Sequence, residues 1–106
     1  MNENIALTEA VYYILLSLYT PQHGYGIMQQ TEQLSGGRVR LAAGTLYGAL
    51  STLSEKGWIT ALKEEPGSRR KEYQLTDQGL HVLKNELERL QQLVANGAAV
   101  MGGTQE

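Results

Sequence analysis

The sequence predicts a mainly α-helical fold with a small β-hairpin, and three observations support that prediction. Apolar residues recur at spacings of three and four before residue 57 and again after residue 76, which is the period of amphipathic helices. Between these stretches the period changes to two on either side of Pro66-Gly67, a pair typical of tight turns. The length of 106 residues suits one domain with a modest core.

Three helices are expected before the hairpin. Residues 5–19 form the first, which is apolar round most of its circumference and therefore needs cover on two flanks. In so small a domain, a second subunit is expected to cover one of them. Residues 25–34 form the second helix, which stops at Gly36-Gly37, and residues 45–56 form the third, which stops at Gly57.

The third helix is expected to present two different faces. Leu46, Leu50 and Leu53 fall on one side, at spacings of four and three. The opposite side carries small or hydrogen-bonding residues and one acid, namely Gly44, Gly48, Ser51, Thr52 and Glu55. A small outer face suits the close approach of another large molecule, although this stretch alone also fits an ordinary surface helix.

The hairpin follows directly on the third helix. Residues 58–63 and 71–75 alternate as two strands, and the turn between them contains Pro66-Gly67. Because an isolated two-stranded hairpin is marginally stable, it must pack on the helices. Three helices followed by such a hairpin form a winged helix-turn-helix, which we assign to residues 1–75.

A last helix is predicted over residues 76–96, where Thr76 and Asp77 supply a cap and a favourable charge at the positive end of the dipole. Five apolar residues repeat in it as in a two-heptad coiled-coil seam: Leu80, Leu83, Leu87, Leu90 and Val94. The helix is longer than the domain beneath it needs, which favours dimerisation over packing within its own subunit. Asn96-Gly97 is expected to end it, and residues 97–106 are expected to be a disordered tail.

Composition excludes several classes of function. The chain has no cysteine, and its two histidines, His23 and His81, are 58 positions apart, so we expect no metal, no cofactor and no enzymatic acid–base site. The N-terminus lacks the basic region of a signal peptide, and no stretch reaches the roughly 20 apolar residues of a membrane span. The expectation is a soluble cytoplasmic protein.

Charge is distributed unevenly along the chain. The formal net charge is −2, yet residues 38–73 carry seven basic and four acidic side chains, a net of +3 that leaves −5 for the rest. A basic middle on an acidic body is expected of a protein whose central part faces DNA, although clustered charge is also common on solvated surfaces.

Three motifs stand in order along the chain: HGYGI at 23–27, GTLYGALSTLSEKGWI at 44–59 and RRKEYQLTDQG at 69–79. Together they resemble the PadR family of bacterial transcriptional regulators over about residues 5–95. The resemblance implies a homodimer that binds a palindromic operator in double-stranded DNA, with the last helix of one subunit against the first helix of the other. It also implies repression that a small molecule or phosphorylation releases.

The resemblance assigns DNA contacts to particular residues. The outer face of the third helix would meet the major groove, the wing cations would meet phosphates or the minor groove, and the hydroxyl of Tyr25 would donate to a phosphate. The implied contacts are Tyr25, Thr45, Tyr47, Gly48, Ser51, Thr52, Arg69, Arg70 and Lys71, with Arg38 and Arg40 as weaker candidates.

Several of these positions carry an alternative. Tyr47 also fits a partly buried packing role, and Trp58 and Tyr73 suit the core better than a contact. Ser51 and Thr52 stand where many family members have a basic residue or histidine, so guanine readout by Arg or Lys from this helix is not expected. Discrimination between sequences would then depend on hydroxyls, water and DNA shape.

Apolar residues of the first and last helices are expected to form the dimer interface: Leu7, Val11, Ile14, Leu15, Leu80, Leu83, Leu87, Leu90 and Val94. Some family members bind drugs in a pore between the paired last helices, lined by a tryptophan, near whose position this chain has Leu90. A pocket for a small aromatic effector would be lined by Tyr12, Leu15, Leu83, Leu87 and Leu90. The same leucines serve equally well as a closed dimer core.

Two other functions fit the same features. The winged helix could be a protein-interaction module whose basic wing meets an acidic partner, or the dimer could be a multidrug-binding sensor with a pore at its interface. The coincidence of small outward residues on the third helix with flanking cations favours DNA as the partner.

Overall fold

The computed structural model describes residues 6–62 and 71–102, and it confirms a mainly helical winged fold with a small sheet. The elements in chain order are α1 (Glu9–Ser17), β1 (Gln22–His23), α2 (Gly24–Leu34), α3 (Ala43–Glu55), β2 (Ile59–Ala61), β3 (Glu72–Leu75) and α4 (Asp77–Val100). Among the described residues, no helix is both long enough and apolar enough to cross a membrane.

The sheet has three strands, one more than the sequence predicts. Its order is β1-β3-β2, with antiparallel pairing that sets Gln22 opposite Tyr73 and Ile59 opposite Leu75. The short strand β1 comes from the break between α1 and α2, where two residues are too few to show a period. It completes a three-stranded sheet, which is more stable than a lone hairpin. The predicted turn around Pro66-Gly67 lies outside the described residues.

One apolar core joins all the helices to the sheet. Its buried side chains are Ile14, Leu15, Leu18, Ile27, Leu46, Leu50, Leu53, Trp58, Ile59, Tyr73 and Leu83. Trp58 and Tyr73 are therefore core residues, as their type suggested. The inner face of α3 contributes three of these side chains, as its spacing predicts.

Helix ends follow local capping chemistry. Thr8 Oγ1 accepts a hydrogen bond from Val11 N at 3.1 Å, so α1 begins at Glu9 rather than at residue 5. His23 Nδ1 accepts one from Gly26 N at 3.2 Å at the start of α2. Gly57, with a φ of 80°, turns the chain from α3 into β2 in the left-handed region that glycine tolerates.

The predicted end of the last helix is wrong by four residues. Gly97 does not stop α4, which continues to Val100 and is followed by Gly102 with a φ of 82°. A glycine inside a helix costs only about 1 kcal/mol relative to alanine, and Ala98 and Ala99 are strong helix formers that carry the helix onward. Residues 97–102 are thus helix and turn rather than a disordered tail, while residues 103–106 lie outside the described part.

The start of α4 is fixed on the end of α3. Thr76 Oγ1 donates to Gly57 O at 2.6 Å and accepts from Gly79 N at 3.0 Å, and Thr76 N donates to Trp58 O at 3.0 Å. A Cβ on Gly79 would lie 2.8 Å from the carbonyl carbon of Trp58 and nearer still to its oxygen. The T-x-x-G spacing therefore combines a helix cap with a close contact between two backbones.

An acidic side chain continues the inward stripe of α4. Gly79, Leu83 and Glu86 are the buried residues of this helix. Glu86 accepts two hydrogen bonds from Arg89, both at 2.7 Å, and one from Leu7 N at 3.1 Å. The Arg89 guanidinium holds the pKa of Glu86 below its usual range, more than offsetting the effect of burial. Glu86 therefore ties α4 to the segment that precedes α1.

Beyond Glu86 the helix leaves the body of the domain. Leu87, Val94 and Met101 follow one another at intervals of seven and are 45%, 71% and 85% exposed. We call these three residues the open stripe of α4. The radius of gyration is 16.0 Å, compared with about 13 Å for a compact chain of 100 residues, which is consistent with a projecting helix.

Candidate nucleic-acid interface

The two faces of α3 are as different in the structure as in the sequence. Leu46, Leu50 and Leu53 are buried, and the predicted contacts on the other side are exposed: Thr45, Tyr47, Gly48, Ser51 and Thr52. Thr52 Oγ1 donates to Gly48 O at 3.2 Å, which holds its hydroxyl against the helix. These five residues, together with Gly44, form what we call the outer face of α3.

Two glycines of this face have no role in the packing of the chain. Gly44 and Gly48 lie one turn apart within α3, and a Cβ on either would meet no atom of the described chain within 4 Å. Gly48, in the interior of the helix, costs roughly 1 kcal/mol of helix stability relative to alanine. The folded chain gains no packing contact from these glycines, which is consistent with a partner that approaches the helix closely from outside.

Tyr47 lies at the edge of the outer face and reaches towards α2. Its side chain is 49% exposed, and a Cβ on Gly24 would lie 2.8 Å from Tyr47 Cζ. The position of Tyr47 is therefore compatible both with packing against α2 and with contact with DNA. Tyr25, the next residue after Gly24, is also exposed, and its hydroxyl accepts a long hydrogen bond from Gln29 Nε2 at 3.4 Å.

The cations around α3 fall into two groups. Lys71 is exposed immediately before β3, on the wing, whereas Arg69 and Arg70 lie outside the described residues. Arg38 pairs with Glu9 of α1, and Arg40 Nε lies 3.4 Å from Glu32 Oε2 of α2. Both arginines, which lie between α2 and α3, are thus held towards acidic partners on helices, although exposed pairs of this kind contribute little to stability.

Lys56 is a cation that the sequence analysis did not assign. It follows α3 directly, and its Nζ lies 5.3 Å from the centroid of the Trp58 ring. The ring holds this charge beside the end of α3 through a cation–π contact. An aromatic residue two positions after a lysine is too weak a pattern to have indicated this contact.

The predicted dimer interface separates into two sets. Ile14, Leu15 and Leu83 are 1%, 0% and 5% exposed, so their assignment to a surface between subunits is wrong: they fill the core of their own chain. Leu87 and Val94 are exposed, and the half-buried members are Leu7, Val11, Leu80 and Leu90. The single seam in the sequence is therefore two stripes, one of which faces the chain's own body.

The five residues of the predicted effector pocket differ in their exposure. Leu15 and Leu83 are buried, Tyr12 and Leu90 are half-buried, and Leu87 is exposed, so part of the predicted lining belongs to the core of its own chain. Two hollows on the described surface lie away from these five residues. One of about 440 Å³ is lined by Gln29, Glu32, Gln33, Gly36 and Gly37, and another of about 160 Å³ lies between the end of α1 and the start of α4.

Sequence reasoning also missed Gly24, Gly79 and Glu86. The two glycines are defined by what packs against them, which a sequence does not reveal. Glu86 falls between Leu83 and Leu87 and looks like a solvated coiled-coil flank. Its only sequence signal is Arg89 three residues later, a spacing that also occurs on exposed helix surfaces.

Comparison with known proteins agrees with this fold and with the motifs. The model of the Transcriptional regulator PadR-like family matches residues 13–85. The chain therefore belongs to the PadR-like family of transcriptional regulators.

Individual relatives match over different lengths. An uncharacterized 37.1 kDa protein in a transposon of Streptomyces fradiae is 41% identical over 66 residues, which cover 62% of this chain but only 18% of that protein. A PadR family transcriptional regulator from Eggerthella lenta is 29% identical, with a TM-score of 0.66 over 90% of this chain and 82% of its own. Bacillus subtilis PadR in complex with operator DNA is 27% identical, with a TM-score of 0.61 over 73% of this chain and 46% of its own.

Proposed function

We propose that this PadR-like regulator is a cytoplasmic, homodimeric repressor that binds a palindromic operator in double-stranded DNA. The outer face of α3 enters the major groove, and the wing, with Lys71 and its neighbours Arg69 and Arg70, contacts phosphates. Tyr25, in the first turn of α2, donates a hydrogen bond from its hydroxyl to a phosphate. Two copies of α3 in one dimer would read half-sites about one helical turn, or roughly 34 Å, apart.

The observation that carries this proposal is the pair of glycines on the outer face of α3. Gly44 and Gly48 weaken the helix without serving any described contact, which favours a large partner that approaches the backbone closely. The deep major groove admits a helix in this way. The complex of Bacillus subtilis PadR with operator DNA supports the same partner for this chain.

The homodimer is supported by the open stripe of α4. Leu87, Val94 and Met101 form an apolar line that the described chain leaves exposed, with the heptad spacing of a helix that packs on another helix. The half-buried residues Leu7 and Val11 of the partner would supply the opposite surface.

The function is tested by titrating DNA from the protein's own upstream region and following fluorescence anisotropy over a series of salt concentrations. Gly48→Ala adds one methyl group at the point of closest approach. Its expected effect is a loss of affinity of about tenfold or more, equivalent to 1.4 kcal/mol or more. The same change should raise the free energy of unfolding by about 0.5–1 kcal/mol, because alanine is the better helix former.

Gly97→Ala is the matched control, since Gly97 also lies inside a helix, α4, where a Cβ would meet no atom of the described chain within 4 Å. It also improves helix propensity and should leave affinity within about twofold. If the wild-type protein bound no DNA at any salt concentration, the proposed function would be wrong and a protein-interaction module would be favoured. Wild-type affinity in Gly48→Ala would show that α3 does not approach DNA along this face.

We further propose that a small aromatic effector releases the repressor. Because Leu87 is exposed whereas Leu15 and Leu83 are buried in their own chain, we place such a site where Leu87 faces a second subunit. Thermal shift of the intact protein with planar aromatic compounds tests this, since a ligand that binds only the folded dimer raises the melting temperature. A uniform absence of stabilisation would support a closed dimer core instead.

A further inference from the structure

We infer that Gly24 is a positioning residue for DNA binding, because it admits the ring of Tyr47 and so fixes where that ring lies beside the outer face of α3. The inference rests on the proposed function, because it names a residue that positions a side chain of the proposed DNA-binding surface. It concerns a contact between α2 and α3 that sequence motifs do not reveal, since the two residues are 23 positions apart.

The geometry shows why residue 24 is a glycine. The backbone there is α-helical, a conformation open to any residue, so glycine is not needed for the turn of the chain. A Cβ at this position, however, would lie 2.8 Å from Tyr47 Cζ, 3.3 Å from Cε1 and closer still to Oη. Gly24 itself is buried under this ring. The space that a side chain would take is thus occupied by Tyr47.

The contact determines where the hydroxyl of Tyr47 can be. The ring leaves α3 at the edge of the outer face and ends over the first turn of α2, beside the backbone that carries Tyr25. Both tyrosines remain exposed, at 49% for Tyr47 and 60% for Tyr25. The first turn of α2 therefore sets the position of the Tyr47 side chain, which belongs to α3.

Physical reasoning predicts an unusual outcome for Gly24→Ala. The new methyl group would collide with the far end of a side chain rather than with backbone, so the ring can swing away, at a cost in stability that leaves the domain folded. The fold should therefore survive, and the main change should be the position of Tyr47. A displacement of about 1 Å is enough to disturb a fixed binding geometry.

Gly26, in the same turn, supplies a matched comparison. A Cβ there would lie 3.0 Å from Cδ of Gln22, whose Nε2 donates to Gln30 Oε1 at 2.7 Å. Gly26→Ala therefore makes the same chemical change on the same helix but displaces a side chain of β1 instead of Tyr47. Any general effect of stiffening the start of α2 should appear in both variants.

A double-mutant cycle on the full chain tests the inference. Gly24→Ala and Gly26→Ala are each made in the wild-type and in the Tyr47→Ala background, and affinity for upstream-region DNA is measured at low salt, where weak binding can still be quantified. Gly24→Ala should weaken binding about tenfold in the wild-type background and less than about twofold in the Tyr47→Ala background. Gly26→Ala should have the same effect in both backgrounds.

Equal losses from Gly24→Ala in the two backgrounds would overturn the inference, as would a Tyr47→Ala variant that binds as well as the wild type. The melting temperature separates this failure from failure of the proposed function. Even if the wild-type protein bound no DNA, Gly24→Ala should raise the melting temperature more in the Tyr47→Ala background than in the wild type, because the collision is absent there. Equal shifts would show that the ring and Gly24 do not constrain each other.

Discussion

The outer face of α3 and the open stripe of α4 are both exposed, but they have opposite chemistry. The first is made of glycines and hydroxyls, and the exposed cation Lys56 follows its helix directly. The second is apolar, with three large side chains at heptad spacing. One suits a hydrated, charged partner that must come close to the backbone, and the other suits an apolar surface such as a second copy of the chain.

The difference shows that exposure by itself does not define a site. On α3 the informative feature is the lack of side chains, because Gly44 and Gly48 make the helix weaker without helping the chain to pack. On α4 the informative feature is the regular line of exposed apolar side chains. Isolated apolar residues on a surface are common, but a regular line of them is not. Each surface is therefore expected to respond to a different kind of substitution.

The largest effect is expected from Leu87→Glu, which places a charge in the open stripe. If this stripe forms the dimer interface, the unpaired charge should weaken dimerisation by about 100-fold or more, because burying it costs several kcal/mol. Sedimentation equilibrium of the purified protein measures this. Gln92→Glu adds the same acid on another side of α4 and should leave the dimer intact. A Leu87→Glu protein that stays fully dimeric would place the interface elsewhere.

A smaller effect is expected from Glu86→Gln, at the point where α4 leaves the body. The pKa of Glu86 is lowered, chiefly by its hydrogen bonds from Arg89, so its carboxylate stabilises the fold at pH values above about 4.3. That stabilisation is lost as the pH falls through the lower pKa of the folded state. Replacement by glutamine should cost about 1–2 kcal/mol at pH 7 and flatten the decline of stability in acid.

Urea denaturation from pH 7 to pH 3 measures both effects. Glu88→Gln, two residues further along the same helix and exposed, controls for the loss of one negative charge. Identical pH profiles for the two variants would mean that the Glu86 carboxylate, which accepts from Leu7 N, does not stabilise the contact between α4 and the body.

The smallest effect is expected from Lys71→Ala, which removes one described cation from the wing. Affinity should fall a few-fold for all DNA sequences alike, and the slope of log affinity against log salt should decrease by about 0.9 for each phosphate that is no longer neutralised. Anisotropy titrations at several salt concentrations measure the slope. Lys84→Ala, on α4, should leave it unchanged, and an equal change in both variants would assign the effect to net charge.

The sequence by itself determined the order of the helices, the inner face of α3 and the wing. These features are encoded locally: a period of three to four residues, a period of two and the Thr76 cap each depend on neighbours within one element. The same is true of the two faces of α3, since Leu46, Leu50 and Leu53 are inside wherever the helix packs. The motifs that resemble the PadR family are also local stretches of sequence, and they indicated the class of protein.

Only the tertiary structure decided which apolar residues meet which neighbours. Leu83 and Leu87 belong to one seam in the sequence, yet α4 lies on the body so that the first is buried and the second is exposed. β1 forms because β3 is there to pair with it, and Glu86 is buried because Leu7 and Arg89 satisfy its oxygens. Gly24 is explained only by the ring of Tyr47, which reaches it from another helix. Each depends on residues far apart in the chain, which a local pattern cannot specify.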